Sequence, residues 1–263
     1  MNSLNHLFCE KINQFHLTLL LLGHATVNNS WNGKIQNPSY SRLYYIVSGS
    51  ASIITDSGIY PLTAGRWYLL PAGCSFKYSC ENELEHLYFH IKLSASDGLD
   101  LLRSCKTPVY IDVPDQELLH LSSEKNITDG LIIHSKIYSV VLSILKTHAI
   151  PLKTHSFTAC VSKAIDYIKQ NLSAQLTTEE IAANAFVSKS TLTKAFKKEL
   201  NMSVQEYLYD IIMFEAGQLL THNSFSIAEI SDKFCFSDQF YFSRRFRQKY
   251  GVSPREYRKN VLL

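Results

Sequence analysis

Ile230-Ser-Asp-Lys-Phe-Cys-Phe-Ser237, followed by Phe242-Ser-Arg-Arg-Phe-Arg-Gln248, repeats a pattern met earlier as Ile181-Ala-Ala-Asn-Ala-Phe-Val-Ser188 and Leu192-Thr-Lys-Ala-Phe-Lys-Lys198. The copies lie 49 residues apart up to the serine and 50 apart from Leu192 and Phe242 onward, so the second holds one extra residue after its turn. Each copy reads as a short helix, a tight turn, and a helix that is apolar on one face and basic on the other. That is the sequence form of a helix-turn-helix. In the first copy, Thr177 to Glu180 have capping-box spacing. Ile181, Ala182 and Ala185 supply the buried face, Val187 fills the turn, and Ser188 caps the next helix. Leu192 and Phe196, four apart, face inward. Lys189, Ser190, Thr193, Lys194 and Lys197 then point outward, a mixture of hydroxyls and ammoniums suited to base edges and phosphates. In the second copy Ile227 and Ile230 are inward, Phe236 fills the turn, Ser237 caps, and Phe242 and Phe246 form the inward pair. Gln239, Ser243, Arg244 and Arg247 point out; arginine can grip guanine bidentately and glutamine can do the same for adenine. Gly251 suits a left-handed helix stop before Pro254.

Between the copies, Val204–Leu220 runs 17 residues without proline, roughly 25 Å as a helix. Such a spacer, with the width of the flanking motifs, meets the about 34 Å between successive major-groove entries on one face of DNA. Gly217 inside it costs about 1 kcal/mol relative to alanine, so packing must hold it.

Charge supports the same reading. The 263 residues carry a net +3, but residues 1–159 hold 12 basic and 12 acidic side chains, while residues 160–263 hold 14 and 11. The excess sits where the repeat sits: Lys189, Lys194, Lys197 and Lys198 in one copy, Arg244, Arg245, Arg247 and Lys249 in the other. Clustered charge is what phosphates respond to. Six scattered cysteines contain no Cys-x-x-Cys, which fits reduced cytoplasmic thiols rather than a zinc site or disulfide framework. The apolar run Leu17–Leu22 is too short to span a bilayer and reads as a buried strand.

Residues 1–95 alternate like short strands broken by Gly and Pro turns: Leu43–Ser50, Ala51–Thr55, Ile59–Leu62, Trp67–Leu70 and Leu84–Leu93. Their spacing predicts a sandwich or barrel. From Asp129 to His148 the period changes to three and four, through Leu131, Ile137, Tyr138, Val141, Ile144 and Leu145. This helix is apolar on more than one side and so calls for two partners, the barrel and a second subunit, or packing within one domain. Ala149–Ser156 contains Pro151 and shows no clear period, and the interdomain linker is expected here, at 151–157.

Ile227-Ala-Glu-Ile230, Phe236-Ser-Asp238, Tyr241-Phe-Ser-Arg244, Phe246 and Gly251-Val-Ser-Pro-Arg-Glu-Tyr-Arg258 resemble the signature of AraC/XylS-type transcription regulators. The resemblance runs from about Phe157 to the C-terminus and implies a reader module of two helix-turn-helices on a linker helix. Two positions depart from it: Cys235 stands where the family usually has glycine, and Ile212 where an arginine is common. The N-terminal pattern (Tyr44–Gly49, Leu62–Gly65, Trp67–Gly73, Tyr88-Phe-His90) is similar to the cupin-like jelly roll that many such regulators carry. The expected architecture is therefore a multi-domain α and β chain. A cupin-like ligand-sensing and dimerisation domain spans 1–150, its barrel at about 1–95 and its helical part at about 115–150. An all-α DNA-binding domain spans 158–263, with motif one at about 177–200, the linker helix at 204–220 and motif two at about 227–250.

A cupin can also host a metal enzyme. His86 and His90 are the only histidines near the right strands, and at four residues apart on a strand they lie roughly 13 Å from each other. No metal or other cofactor is therefore expected. His86, Tyr88 and His90 combine stacking and hydrogen-bonding groups as polar ligand pockets do, and Trp31, Arg42, Tyr44 and Tyr78 can join them; Leu87, Phe89 and Ile91 on the opposite face read as core. The reading is a cytoplasmic, non-enzymatic, sequence-specific transcription regulator, an activator rather than a repressor. Its expected partners are double-stranded promoter DNA, a small metabolite such as a sugar, a second copy of itself and, as an activator, RNA polymerase, with no membrane. The rivals are a cupin-type metal enzyme with a helical tail, a helical adaptor, and a regulator whose barrel only dimerises.

Overall fold

The computed structural model describes residues 9–10, 12–95, 98–115, 118, 126–152, 157–221 and 225–261. They fall into two compact units, Met1–Thr154 and His155–Leu263.

The first unit is antiparallel β followed by a helix. Its strands are β1 (His16–Asn28), β2 (Asn32–Ile35), β3 (Ser41–Thr55), β4 (Gly58–Thr63), β5 (Trp67–Leu70), β6 (Phe76–Ser79), β7 (Glu83–Ser94) and β8 (Val109–Ile111). The main path runs β1-β7-β3-β5-β8, with β4 and β6 on β3 and β2 on β6. The two strands expected at Leu43–Ser50 and Ala51–Thr55 are one continuous strand. Gly49 does not end it but bends it: a register shift falls between Ile46 and Ser48, and Gly49 has φ 77°. A Cβ at Gly49 would lie 2.1 Å from the Glu83 carbonyl oxygen, so only glycine fits the corner. Beyond the bend β3 leaves β7 and β5 for β4 and β6. The β domain also extends past the expected residue 95. Strand β8 pairs with β5, and at three residues it is too short for alternation to announce it.

Strand alternation separates two cores. Leu43 and Tyr45 of β3 join Leu87, Phe89 and Ile91 of β7 and Trp67 and Leu69 of β5 in one cluster. Tyr44 and Ile46 join Ile53, Leu62, Tyr68 and Phe76 in the other. The first cluster is covered by helix α1 (Ile127–Thr147), through Ile133, Ile137, Val140, Val141, Ile144 and Leu145. Full burial of such side chains contributes about 1.5–3 kcal/mol each. On the outer side Ile127, Leu131, Ile132 and Leu142 remain 84, 67, 42 and 45% exposed. The second apolar side read from the sequence is this one, whereas Val141 and Ile144 belong to the inner side.

One buried carboxylate ties the unit together. Asp100 accepts from Ser41 N at 2.9 Å, Ser41 Oγ at 2.7 Å, Leu93 N at 3.3 Å and Leu102 N at 3.1 Å. It thereby joins the start of β3, the end of β7 and the 3-10 turn Leu101–Ser104 that it caps. Ser41 Oγ accepts in turn from Ala72 N at 2.9 Å.

The second unit is all helix: α2 (Ala159–Gln170), α3 (Thr178–Asn184), α4 (Lys189–Leu200), α5 (Val204–Thr221), α6 (Ile227–Lys233), α7 (Gln239–Tyr250) and α8 (Pro254–Val261). Four of these begin with a Ser or Thr and a Glu three residues later that satisfy each other's backbone N–H. The pairs are Thr177/Glu180 and Ser226/Glu229, and Ser203/Glu206 and Ser253/Glu256. Each cap is worth on the order of 1 kcal/mol.

The two motifs share the geometry of their turns and differ in their caps. Phe186 and Cys235 occupy the same position, with φ 59° and 55°, and each following N–H closes back onto the first helix (Val187 N to Ala182 O, Phe236 N to Ser231 O). This left-handed geometry is the reason a glycine is at home there; a side chain costs about 1–2 kcal/mol. Val187 is only half-buried in its turn, whereas Phe236 is buried in the other. Ser188 caps α4 through Thr191 N as expected. The cap of α7 is not Ser237 but Asp238, whose carboxylate accepts from Tyr241 N at 2.6 Å. The extra residue of the second copy is absorbed there, which moves the capping position by one.

Helix α5 ends at Thr221 rather than Leu220. Ile212, at the family's arginine position, is fully buried, so this helix offers no charge there. Gly217 admits the tyrosines of the closing helices: a Cβ would meet Tyr250 Oη at 3.2 Å and Tyr257 Oη at 3.6 Å. Tyr250 Oη donates to the Met213 carbonyl at 3.1 Å, and its ring packs 4.5 Å from Phe246. This packing is what holds a helix that glycine would otherwise weaken.

Candidate nucleic-acid interface and effector pocket

Helices α4 and α7 each bury one face, Leu192, Phe196 and Leu200 in the first, Phe242, Phe246 and Tyr250 in the second. On the opposite side Lys189, Ser190, Thr193, Lys194 and Lys197 are exposed on α4, and Gln239, Arg244 and Arg247 on α7, with Ser243 half-buried. Their hydrogen bonding already assigns some of these groups. Thr193 Oγ1 donates to the Lys189 carbonyl at 2.8 Å and Ser243 Oγ to the Gln239 carbonyl at 2.7 Å, so both hydroxyls meet an incoming molecule as acceptors. Lys189 Nζ lies 2.6 Å from Glu179 in a surface pair, an interaction of about 0–1 kcal/mol that a phosphate can displace.

The four cations of α7 divide two and two. Arg245 stacks its guanidinium 4.3 Å from the Tyr209 ring, and Lys249 pairs with Asp210, both on α5. They bind α7 to the linker helix. Arg244 and Arg247 stay on the outer face. Phe240 lies there too, 69% exposed. The sequence reading names only Phe242 and Phe246 among the phenylalanines of this helix; the offset of two from buried Phe242 is the available signal, since helical residues two apart point in different directions.

In the β unit all seven residues read as pocket residues meet in one aromatic and polar cluster. Trp31 packs 4.5 Å from Tyr78 and 5.7 Å from His86. Tyr44 meets His86 edge-on at 5.3 Å. Along β7 His86, Tyr88 and His90 follow at ring separations of 5.7 and 5.9 Å, the tyrosine between the two imidazoles. Tyr40 closes the arc, 4.9 Å from His90 and under the Arg42 guanidinium at 4.7 Å. Tyr40, in the bend immediately before β3, is not among the residues the sequence pointed to, although it stands two before Arg42.

Burial sets the protonation of this cluster. It lowers His86 to about 4, with His24 adding to the effect, and lowers His90 well below its ordinary value, with Arg42 adding. It raises Tyr44 to about 12 and also raises Tyr88. At neutral pH the cluster therefore presents neutral imidazoles and protonated phenols around one cation. Arg42 donates from Nη2 to Tyr40 Oη at 3.1 Å. Its Nη1, and His86 Nδ1, are buried with no hydrogen-bond partner among the described residues. Buried polar atoms in that state are uncommon and call for a partner that the described residues do not supply. Among the described residues no group of three or more His, Cys, Asp or Glu is placed to hold a metal ion.

Two helix-turn-helix motifs on a common linker helix, following an antiparallel β unit, define a DNA-binding regulator. Residues 181–260 match the family model described as a helix-turn-helix domain. The chain is 26% identical over 232 residues to the lactose operon transcription activator of Staphylococcus xylosus, covering 83% of each chain. It is 26% identical over 269 residues to the raffinose operon transcriptional regulatory protein of Pediococcus pentosaceus, covering 94% of this chain and 95% of that one. Among solved structures, an apo form of ToxT from Vibrio cholerae, carrying a single substitution, aligns over 94% of this chain and 98% of that one with a TM-score of 0.57 at 15% identity. An unsaturated-fatty-acid-bound ToxT aligns with a TM-score of 0.53 at 16% identity, over 93% of this chain and 94% of that one. Residues 181–260 carry an AraC-type helix-turn-helix domain, and the relatives similar over most of the chain are named as transcription regulators rather than enzymes.

Proposed function

We propose that this regulator switches a promoter in response to a small sugar held by the cluster Trp31, Arg42, Tyr44, Tyr78, His86, Tyr88 and His90. The observation that carries this is the pair of buried, unpartnered groups, Arg42 Nη1 and His86 Nδ1, set among aromatic faces. Aromatic rings stack on the C–H faces of sugars, and a guanidinium fork with a neutral imidazole bonds their hydroxyls. Relatives named for lactose and raffinose operons agree with that chemistry. A fatty acid is the second reading, since Arg42 could receive a carboxylate and a ToxT structure is described as fatty-acid-bound. Calorimetry of the full chain against lactose, raffinose, their constituent monosaccharides and an unsaturated fatty acid separates the two. The expected result is saturable binding of one of the sugars, weakened at least tenfold in Arg42→Ala, because losing a hydrogen bond to a charged donor costs about 1.5–3 kcal/mol. Binding of the fatty acid alone, or sugar binding unchanged in Arg42→Ala and His86→Phe, overturns the assignment.

DNA is held by Lys189, Ser190, Thr193, Lys194 and Lys197 on α4 and by Gln239, Ser243, Arg244 and Arg247 on α7. The protein acts in the cytoplasm as an activator that engages RNA polymerase. Effector binding changes promoter occupancy through unequal affinity for two arrangements of the chain. Two copies pair through the outer side of α1, where Ile127, Leu131 and Leu142 lie within about 60° of one another around the axis. Leu131→Glu with Leu142→Glu is expected to halve the mass measured by light scattering at micromolar concentration. A wild-type mass that is already monomeric across concentration ends the pairing proposal.

A further inference from the structure

We propose that Phe240 is a base-reading residue that contacts the 5-methyl group of a thymine, making the second motif demand a T·A pair where the first does not. The proposal rests on α7 being a recognition helix. Phe240 is the second residue of α7, in the first turn, and N-terminal residues of a recognition helix are the ones that reach base edges. At 100° per residue, Phe240, Arg244 and Arg247 fall within about 60° of one another, opposite the buried Phe242 and Phe246. The ring thus stands 69% exposed at the N-terminal end of the face that carries the two arginines. A bare phenyl ring there is costly in water, and among base edges in the major groove thymine alone offers a methyl group for it to cover. Arginine on the same face bonds guanine, so the α7 site combines a T·A pair with neighbouring G·C pairs.

The repeat supplies a comparison within the chain. Fifty residues earlier the equivalent of Phe240 is Ser190, while Arg244 and Arg247 are replaced by Lys194 and Lys197. Helix α4 therefore offers a hydroxyl and point charges where α7 offers an aromatic face and planar forks. The other strongly exposed phenylalanine of the unit, Phe186, sits in the first turn with Lys163 Nζ 4.7 Å over its ring, and not on a recognition helix. The two motifs accordingly read different sequences: hydrogen-bond acceptors and phosphates under α4, a thymine methyl and guanine under α7.

The test begins with a duplex enriched from a random-sequence library by the full-length protein. Each thymine of that duplex is then replaced singly by deoxyuridine, which removes only the methyl. One or two positions in one half of the site are expected to lose about three- to tenfold in affinity. Phe240→Ala is expected to lose a similar factor on the thymine duplex and to become indifferent to deoxyuridine at that position, with Phe240→Leu intermediate. As Phe240 is exposed, the variants should melt at the wild-type temperature. The proposal is overturned if no deoxyuridine matters, or if Phe240→Ala keeps the full deoxyuridine penalty. It is equally overturned if Phe240→Ala binds as tightly as wild type and loses only promoter activation, which would mark a protein contact. Failure of the library to enrich at all would instead overturn the assignment of α7 to the groove, and the proposal with it.

Discussion

Asp100→Ala is expected to lower the unfolding free energy of the β unit by about 3–5 kcal/mol. The carboxylate is 1% exposed and accepts from three backbone N–H groups and one hydroxyl, contributed by Ser41, Leu93 and Leu102. Alanine leaves all four donors buried with nothing to meet them, and an orphaned donor costs about 1–3 kcal/mol. The sum is held down because the carboxylate's own burial is unfavourable. Desolvation pushes its pKa up to about 6, against the pull of Ser41, Leu102, Lys92 and Leu93. Removing it returns that cost. Both tryptophans, Trp31 and Trp67, lie in the β unit, so tryptophan emission during denaturant unfolding follows that unit alone. A midpoint unmoved in Asp100→Ala would mean that the four donors find other partners and that the hub is not structural. Asp112→Ala, which removes an exposed partner of Arg66, is the control and should cost under about 1 kcal/mol.

This hub is also a measure of what sequence reading reaches. Positions 41, 93, 100 and 102 share no period, and only the folded chain brings them together. Periodicity fared better where one element decides the outcome. Strand alternation placed His86 with Tyr88 and His90 on a common face; Arg42 and Tyr44 join them from β3, and the pairing of β2 with β6 brings Tyr78 and the adjoining Trp31 to them. The helical repeat located both motifs because their buried residues are spaced by local geometry. What it missed depended on neighbours. The cap moved from Ser237 to Asp238 because one inserted residue lengthened the turn. Gly49 reads as a turn in isolation but bends a continuous strand, since β7 passes beneath it. Arg245 and Lys249 look identical to Arg244 and Arg247 until α5 is in place to claim them.

That last division yields the second large effect. Replacing Arg244 and Arg247 together by alanine is expected to reduce affinity for the selected duplex by about 10²- to 10³-fold, from about 1.5–2 kcal/mol apiece for arginines that touch DNA. Both side chains are exposed on the outer face of α7, Arg244 with its guanidinium 5.8 Å over the Tyr241 ring. Arg245→Ala and Lys249→Ala should behave differently: a lower melting temperature of the helical unit, with DNA affinity nearly restored at temperatures where the unit is folded. Total basic charge removed is the same in both pairs, so a purely electrostatic attraction would weaken binding equally. Salt dependence then separates the two modes of contact for Arg244 and Arg247. A residue on a phosphate lowers the slope of log affinity against log salt by about one and weakens every sequence alike. A residue on a guanine leaves the slope nearly unchanged and flattens preference at one position. Wild-type affinity in the Arg244/Arg247 double variant would remove α7 from the interface, because the outer face of that helix carries no other cation to replace them, Arg245 and Lys249 being held against α5.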